Sequence, residues 1–173
     1  MKLTSYWLDT AEPAGDFRRN PIPPQVDVAV VGAGFTGLSA ALELAKQGAS
    51  VALLEQHTVG WGASGRNGGM ATTGLAIGFA QAVKRYGERA ATTMFLEYNR
   101  AIDTIESLVK EHSIDCDFER TGKLTLAYKP AHYEGMMRSQ ELLAKLADHH
   151  VQLVPKADIH SEIGSDLDRK SVV

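Results

Sequence analysis

Residues 26–56, VDVAVVGAGFTGLSAALELAKQGASVALLEQ, leave this chain little freedom of fold. Val26, Val28, Ala29, Val30 and Val31 form a nearly continuous apolar run, which predicts a strand buried on both faces. Leu38, Ala41, Leu42 and Ala45 then recur at helical spacing, with Gly48 where a helix C′ glycine belongs. Val51 to Leu54 is a second short apolar run, and it ends on Glu55. A strand, a helix and a strand in this order make a βαβ unit, whose crossover is expected to be right-handed.

The turn between the first strand and the helix is Gly32-Ala33-Gly34-Phe35-Thr36-Gly37, which fits G-x-G-x-x-G, and Glu55 follows Gly32 by 23 residues. Each part has a mechanical reason in dinucleotide binding. Gly32 permits the tight strand-to-helix turn, Gly34 lets a pyrophosphate approach backbone N–H groups at the helix start, and Gly37 lets the helix pack close to the strand. Glu55 is placed to accept hydrogen bonds from the ribose hydroxyls and would repel a 2′-phosphate, which disfavours NADP. NAD and FAD both fit these residues. The next stretch, GWGASGRNGGM at residues 60–70, favours FAD: a second glycine-rich loop just past the ribose acid offers backbone N–H groups along a ribityl chain and flavin ring.

Elsewhere the pattern is coarser. Residues 1–25 read as an extended N-terminal arm, because Pro13, Pro21, Pro23 and Pro24 oppose regular structure, with Tyr6 and Trp7 docking it on the body. Helices are expected over 75–86, 88–112 (apolar stripe Met94, Phe95, Tyr98, Ile102, Ile105, Leu108 and Val109) and 131–149. Cys116–Arg120 and Lys123–Tyr128 read as two short strands of a hairpin around Thr121-Gly122. A strand at 151–154, a helical turn near 157–163 and a patternless tail, GSDLDRKSVV, complete the chain. The fold class is thus α/β: a Rossmann-like βαβ unit followed by a helical and short-strand segment. Residues 26–70 hold the cofactor motifs, and 71–173 form a helical excursion and the start of a substrate domain. One βαβ unit is an incomplete FAD/NAD(P)-binding domain, since a two-stranded parallel core cannot cover its own faces.

Composition excludes several classes of function. Among 173 residues the formal net charge is −3, and the charges are interspersed without a basic stripe, so no nucleic-acid surface is expected. No run approaches the roughly 18 apolar residues of a spanning helix, and the first residues lack the apolar core of a secretory signal. Arg18-Arg19 precedes NPIPP rather than an apolar run, which argues against a twin-arginine signal. Cys116 is the one cysteine, His149-His150 are read as a helix end, and His112, His132 and His160 have no partners at metal-ligand spacing, so no metal is expected. These features together read as a cytoplasmic protein.

The combination DVAVVGAGFTGLSAALELAKQG, LLEQ and GWGASGRNGG resembles the D-amino-acid-oxidase-like family of FAD-dependent oxidoreductases, and within it the γ-glutamylputrescine oxidoreductase subgroup. IDCDFERTGKLTLAY, residues 114–128, resembles that subgroup as well. The resemblance implies oxidation of the C–N bond of a small-molecule amine or amino acid by hydride transfer to FAD, followed by hydrolysis of the imine. By the same resemblance Gly32, Gly34, Phe35, Thr36 and Gly37 shape the pyrophosphate site, and Glu55 with Gln56 serves the adenosine ribose. Ser64, Gly65, Arg66, Asn67, Gly68 and Gly69 would lie along the ribityl chain and flavin. His57 stands at the wrong end of FAD for a covalent link, and no catalytic residue is assigned. Family members are much longer, so the chain is expected to be a truncated N-terminal part, inactive as it stands, that lacks a complete substrate pocket and holds FAD weakly or not at all. The alternatives are a fragment of an NAD-dependent dehydrogenase, or a non-catalytic subunit of a two-chain flavoprotein whose missing C-terminal half is a separate polypeptide.

Overall fold

The computed structural model describes residues 3–11, 15–17, 20–163 and 170–172, the last three by their backbone alone. Pro13, Arg18-Arg19 and residues 164–169 of the tail lie outside the described residues. The chain divides into two compact units, Met1–Met70 and Ala71–Val173.

The first unit contains the βαβ motif. Strand β1 (Val28–Val31) runs parallel to β2 (Val51–Leu54) in the register Val28 to Val51 through Val31 to Leu54. Asp27 fixes that register from below: its Oδ2 accepts from Ser50 N at 2.8 Å and from Ser50 Oγ at 2.7 Å. At the other end Gly32 N donates to Leu54 O at 2.7 Å, carrying the pairing one residue into the turn. Helix α2 (Phe35–Lys46) crosses between the strands and ends as expected, with Gly48 at φ +91°.

Burial departs from the sequence reading here. β1 alternates half-buried and exposed residues rather than burying both faces, and Val31 is 84% exposed. The reason is that the sheet has only two strands among the described residues, so apolar side chains at its edges and ends have little to pack on. On α2 the half-buried positions are Gly37, Ala41, Leu42 and Leu44, whereas Leu38 and Ala45 are exposed. The inner stripe is therefore rotated from the expected one toward Gly37, where the helix comes closest to the turn.

The N-terminal arm is not extended throughout. Tyr6–Thr10 forms a short helix, α1, opened by Ser5, whose hydroxyl accepts from Leu8 N at 3.4 Å. This helix lies before the first proline, so the proline argument did not reach it.

The second unit is built on three helices, α3 (Phe79–Tyr86), α4 (Glu88–Glu111) and α5 (Pro130–Ala147). Its core is Phe79, Ala82, Ala91, Phe95 and Leu143. Phe79 and Phe95 meet edge to face with ring centroids 5.6 Å apart. Ala82 and Ala91 are fully buried, and such small side chains let α3 and α4 approach closely. Of the stripe expected on α4, Phe95 is buried and Ile102, Leu108 and Val109 are half-buried, but Met94, Tyr98 and Ile105 face solvent.

The expected hairpin is corrected by the structure. Residues 116–120 form no strand, and Asp117 takes φ +49°. Only β3 (Thr125–Ala127) survives of the pair, and it runs antiparallel to β5 (Lys170–Val172). β5 also pairs antiparallel with β4 (Leu153–Val154), giving the order β3-β5-β4. The end of the tail, expected to be patternless, is thus the central strand of this small sheet. Arg120 instead reaches back to α4, 2.6 Å from both Asp103 and Glu106. Cys116 is exposed and free.

Candidate functional site

All thirteen site residues expected from sequence fall within the first unit, so the site can be built there alone. It begins at the strand-to-helix turn. Gly32 adopts φ +100°, a backbone conformation that side chains oppose. A Cβ on Gly37 would collide with the Gly32 carbonyl oxygen, so the first helical turn can fold over the loop only with glycine at this position. Gly34 caps the helix with extended backbone and no side chain of its own. The first N–H groups of a helix have no intrahelical acceptor, which makes this turn a natural anion cradle.

Three residues from elsewhere in the sequence come to this turn. Ser64, in a 3₁₀ turn spanning Ala63–Gly65, accepts a hydrogen bond from Phe35 N at 2.9 Å and so supplies the cap that Gly34 lacks. A Cβ added to Gly34 would sit 3.0 Å from the Ser64 hydroxyl, so these two residues depend on each other's size. Glu55, directly after β2, accepts from Ala33 N at 2.8 Å through Oε2 and from His57 N at 2.9 Å through Oε1. The Ala33 N–H, followed by the His57 N–H, holds the Glu55 carboxyl below its ordinary range. Gly60 N closes the arrangement by donating to Ala33 O at 2.9 Å. The two glycine motifs are therefore wired to each other through Ala33, Phe35, Gly60 and Ser64.

The loop 64–70 is stapled internally by Asn67, whose Nδ2 donates to Ser64 O at 2.6 Å and whose Oδ1 accepts from Gly69 N at 2.7 Å. Arg66 lays its guanidinium 4.5 Å from the centre of the Trp61 ring, and His57 stacks on Trp61 at 4.0 Å. Phe35 is 66% exposed, and Thr36, Gln56 and Gly68 are exposed as well. The sequence reading passed over Ala33, Trp61 and Gly60. Ala33 could have been found from the need for a small residue between two glycines at a backbone crossing. Trp61 had no readable signal beyond its place in the loop.

The donor set fits a dinucleotide: a glycine turn at a helix start, a carboxylate at the end of the next strand, and a second loop brought against the same helix. These features define a Rossmann-like α/β protein. The chain belongs to the family described as FAD dependent oxidoreductase (DAO), whose model matches residues 27–168. It is 36% identical to the probable oxidoreductase OrdL of Haemophilus influenzae over 95% of this chain and 38% of that protein. It is 31% identical to γ-glutamylputrescine oxidoreductase of Escherichia coli over 94% of this chain and 38% of that protein. Among solved structures, glycine oxidase from Bacillus cereus superposes with a TM-score of 0.60 at 20% identity, covering 86% of this chain and 38% of that one. The chain thus spans a little over a third of the length of these relatives. FAD is the dinucleotide of this family, and the NAD reading is not favoured.

Among the described residues no helix is long and apolar enough to cross a membrane. No group of three or more His, Cys, Asp or Glu among them is placed to hold a metal ion.

Proposed function

We propose that this chain is the dinucleotide-holding part of a flavoenzyme that oxidises a C–N bond in a small amine or amino acid. The observation that carries the reading is the convergence of both glycine motifs on the start of α2, through the bonds Phe35 N to Ser64 Oγ and Ala33 N to Glu55 Oε2. In this reading Gly32, Gly34, Phe35, Thr36 and Gly37 form the pyrophosphate cradle. Glu55, with Gln56 beside it, takes the adenosine ribose: each of its oxygens already accepts one N–H and keeps a further acceptor direction for a ribose hydroxyl. Ser64, Gly65, Arg66, Asn67, Gly68 and Gly69 run along the ribityl chain and flavin, and Trp61 steadies the Arg66 guanidinium.

FAD, when bound, supplies the two-electron acceptor for the hydride lost from the carbon next to nitrogen. The residues of this chain contribute binding and orientation. The fixed carboxylate and the helix N-terminus set the nucleotide, and the second loop sets the direction in which the flavin leaves it. The names of the relatives, an oxidoreductase of γ-glutamylputrescine and a glycine oxidase, support an amine or amino acid as the substrate class.

Equilibrium dialysis of the purified chain against FAD, NAD and ADP tests the reading. FAD is expected to bind more tightly than NAD, with ADP binding through the nucleotide half alone. A preference for NAD would overturn the proposal. Amine-dependent bleaching of stoichiometric flavin would show instead that the chain carries a whole active site.

A further inference from the structure

Trp7 stands 60 residues away from the loop it touches. Its indole Nε1 donates to Asn67 O at 2.8 Å, and Asn67 is the residue that staples the loop. The six-membered part of the same ring lies against Gly69: a Cβ added there would fall 2.5 Å from Trp7 Cζ2 and 2.9 Å from Cη2. Gly69 has φ +72°, so both its backbone conformation and this contact require glycine. Leu8, next on α1, makes the adjoining contact, with its Cγ 3.8 Å from where a Cβ on Gly65 would be. Tyr6 packs edge-on to the Trp7 ring at 4.9 Å.

The arm is therefore bound to the loop at two glycines and at one carbonyl, and all of these partners belong to the run assigned above to the flavin end. We infer that Trp7 is a positioning residue for FAD: it fixes the peptide planes of Asn67 to Gly69 so that loop 64–69 faces the cofactor in one conformation. The inference rests on the FAD reading and extends it to an aromatic residue outside both glycine motifs. A preformed loop binds more tightly because less conformational freedom is lost on binding. The adenosine ribose is assigned to Glu55 at the end of β2, so a ligand held through that half should respond to Trp7 less than FAD does.

That separation gives the test. Hydrogen–deuterium exchange of the full chain is followed in residues 60–70 and, as an internal control, in residues 38–54, for wild type, Trp7→Phe, Trp7→Ala and Gly69→Ala. The same proteins are titrated with FAD and with ADP. Trp7→Ala is expected to speed exchange in 60–70 by about tenfold while leaving 38–54 unchanged, and to lower the FAD-to-ADP affinity ratio by about five- to tenfold. Trp7→Phe, which keeps a ring but not the N–H donor, should fall between. Gly69→Ala should mimic Trp7→Ala, because its new methyl group pushes the indole away. Unchanged exchange in 60–70, an equal rise in both segments, or a loosened loop with an unchanged affinity ratio would each overturn the inference. A wild-type chain with no preference for FAD over ADP would defeat the FAD reading, and the positioning role with it. In that case the exchange data would still report separately whether Trp7 orders the loop.

Discussion

Glu55 and Ala33 are joined across the turn: the carboxylate Oε2 accepts the Ala33 N–H at 2.8 Å, so the residue expected to serve the ribose also holds the phosphate loop in shape. Because the carboxyl lies below its ordinary range of about 4.5 in the folded state, its contribution to stability is fully present above that range and is lost as pH falls through the folded value. Glu55→Gln keeps the shape but offers one carbonyl acceptor where two oxygens stood. Its thermal midpoint should therefore fall below that of wild type at pH 7, and the gap should close as the pH is lowered through the folded value. A gap independent of pH between 3 and 7 would show that charge has no part in the contact.

Ser64 replaces a cap that α2 cannot make from its own Gly34. Ser64→Ala removes the acceptor for Phe35 N and should cost about 1 kcal/mol in urea denaturation. Gly34→Ala would place a methyl 3.0 Å from the Ser64 hydroxyl, so the two substitutions are expected to be non-additive. In the double variant the added methyl group meets no hydroxyl, and part of the Gly34→Ala cost should disappear.

The pattern of what could be read from sequence follows from this wiring. Gly32, Gly34, Gly37 and Glu55 were legible because each answers a local backbone demand at a fixed offset from a strand or helix. β3 was placed, but its partner was not. Residues 116–120 have the composition of a strand, yet β3 pairs with Lys170–Val172, more than forty residues further on, and no local signal encodes that choice. The aromatic pair in the arm was legible as a docking element, but its target, the carbonyl of Asn67, was not. Apolar periodicity placed α2 and α4 correctly and misjudged their inner faces. It reports which residues are able to be buried, whereas Val31 and Leu38 show that burial also depends on what is there to cover them.

In the second unit Phe95 is the centre of an aromatic chain, edge-on to Phe79 at 5.6 Å and to His149 at 5.0 Å. Phe95→Ala should destabilise this unit by about 3–4 kcal/mol, through lost burial and the cavity left behind. Phe95→Leu should cost less than half of that, because most of the volume is retained. Equal losses in thermal denaturation would mean that the site collapses around either residue.

Gly37 is the most stringent position in the dinucleotide turn, since its missing side chain is what lets α2 close over the Gly32 carbonyl. Gly37→Ala places a methyl group against a backbone oxygen that no rotamer change can move. The helix must lift from the turn, and stability should fall by about 3 kcal/mol. At a temperature where both proteins remain folded, ADP binding should fall at least tenfold, because the cradle of N–H groups is displaced from the ribose carboxylate. Gly48→Ala, at φ +91° with open space around it, is the control: it should cost about 1 kcal/mol through backbone strain and leave ADP affinity unchanged. Equal losses of ADP affinity in the two variants would show that helix stability, rather than the close approach at Gly37, governs the site.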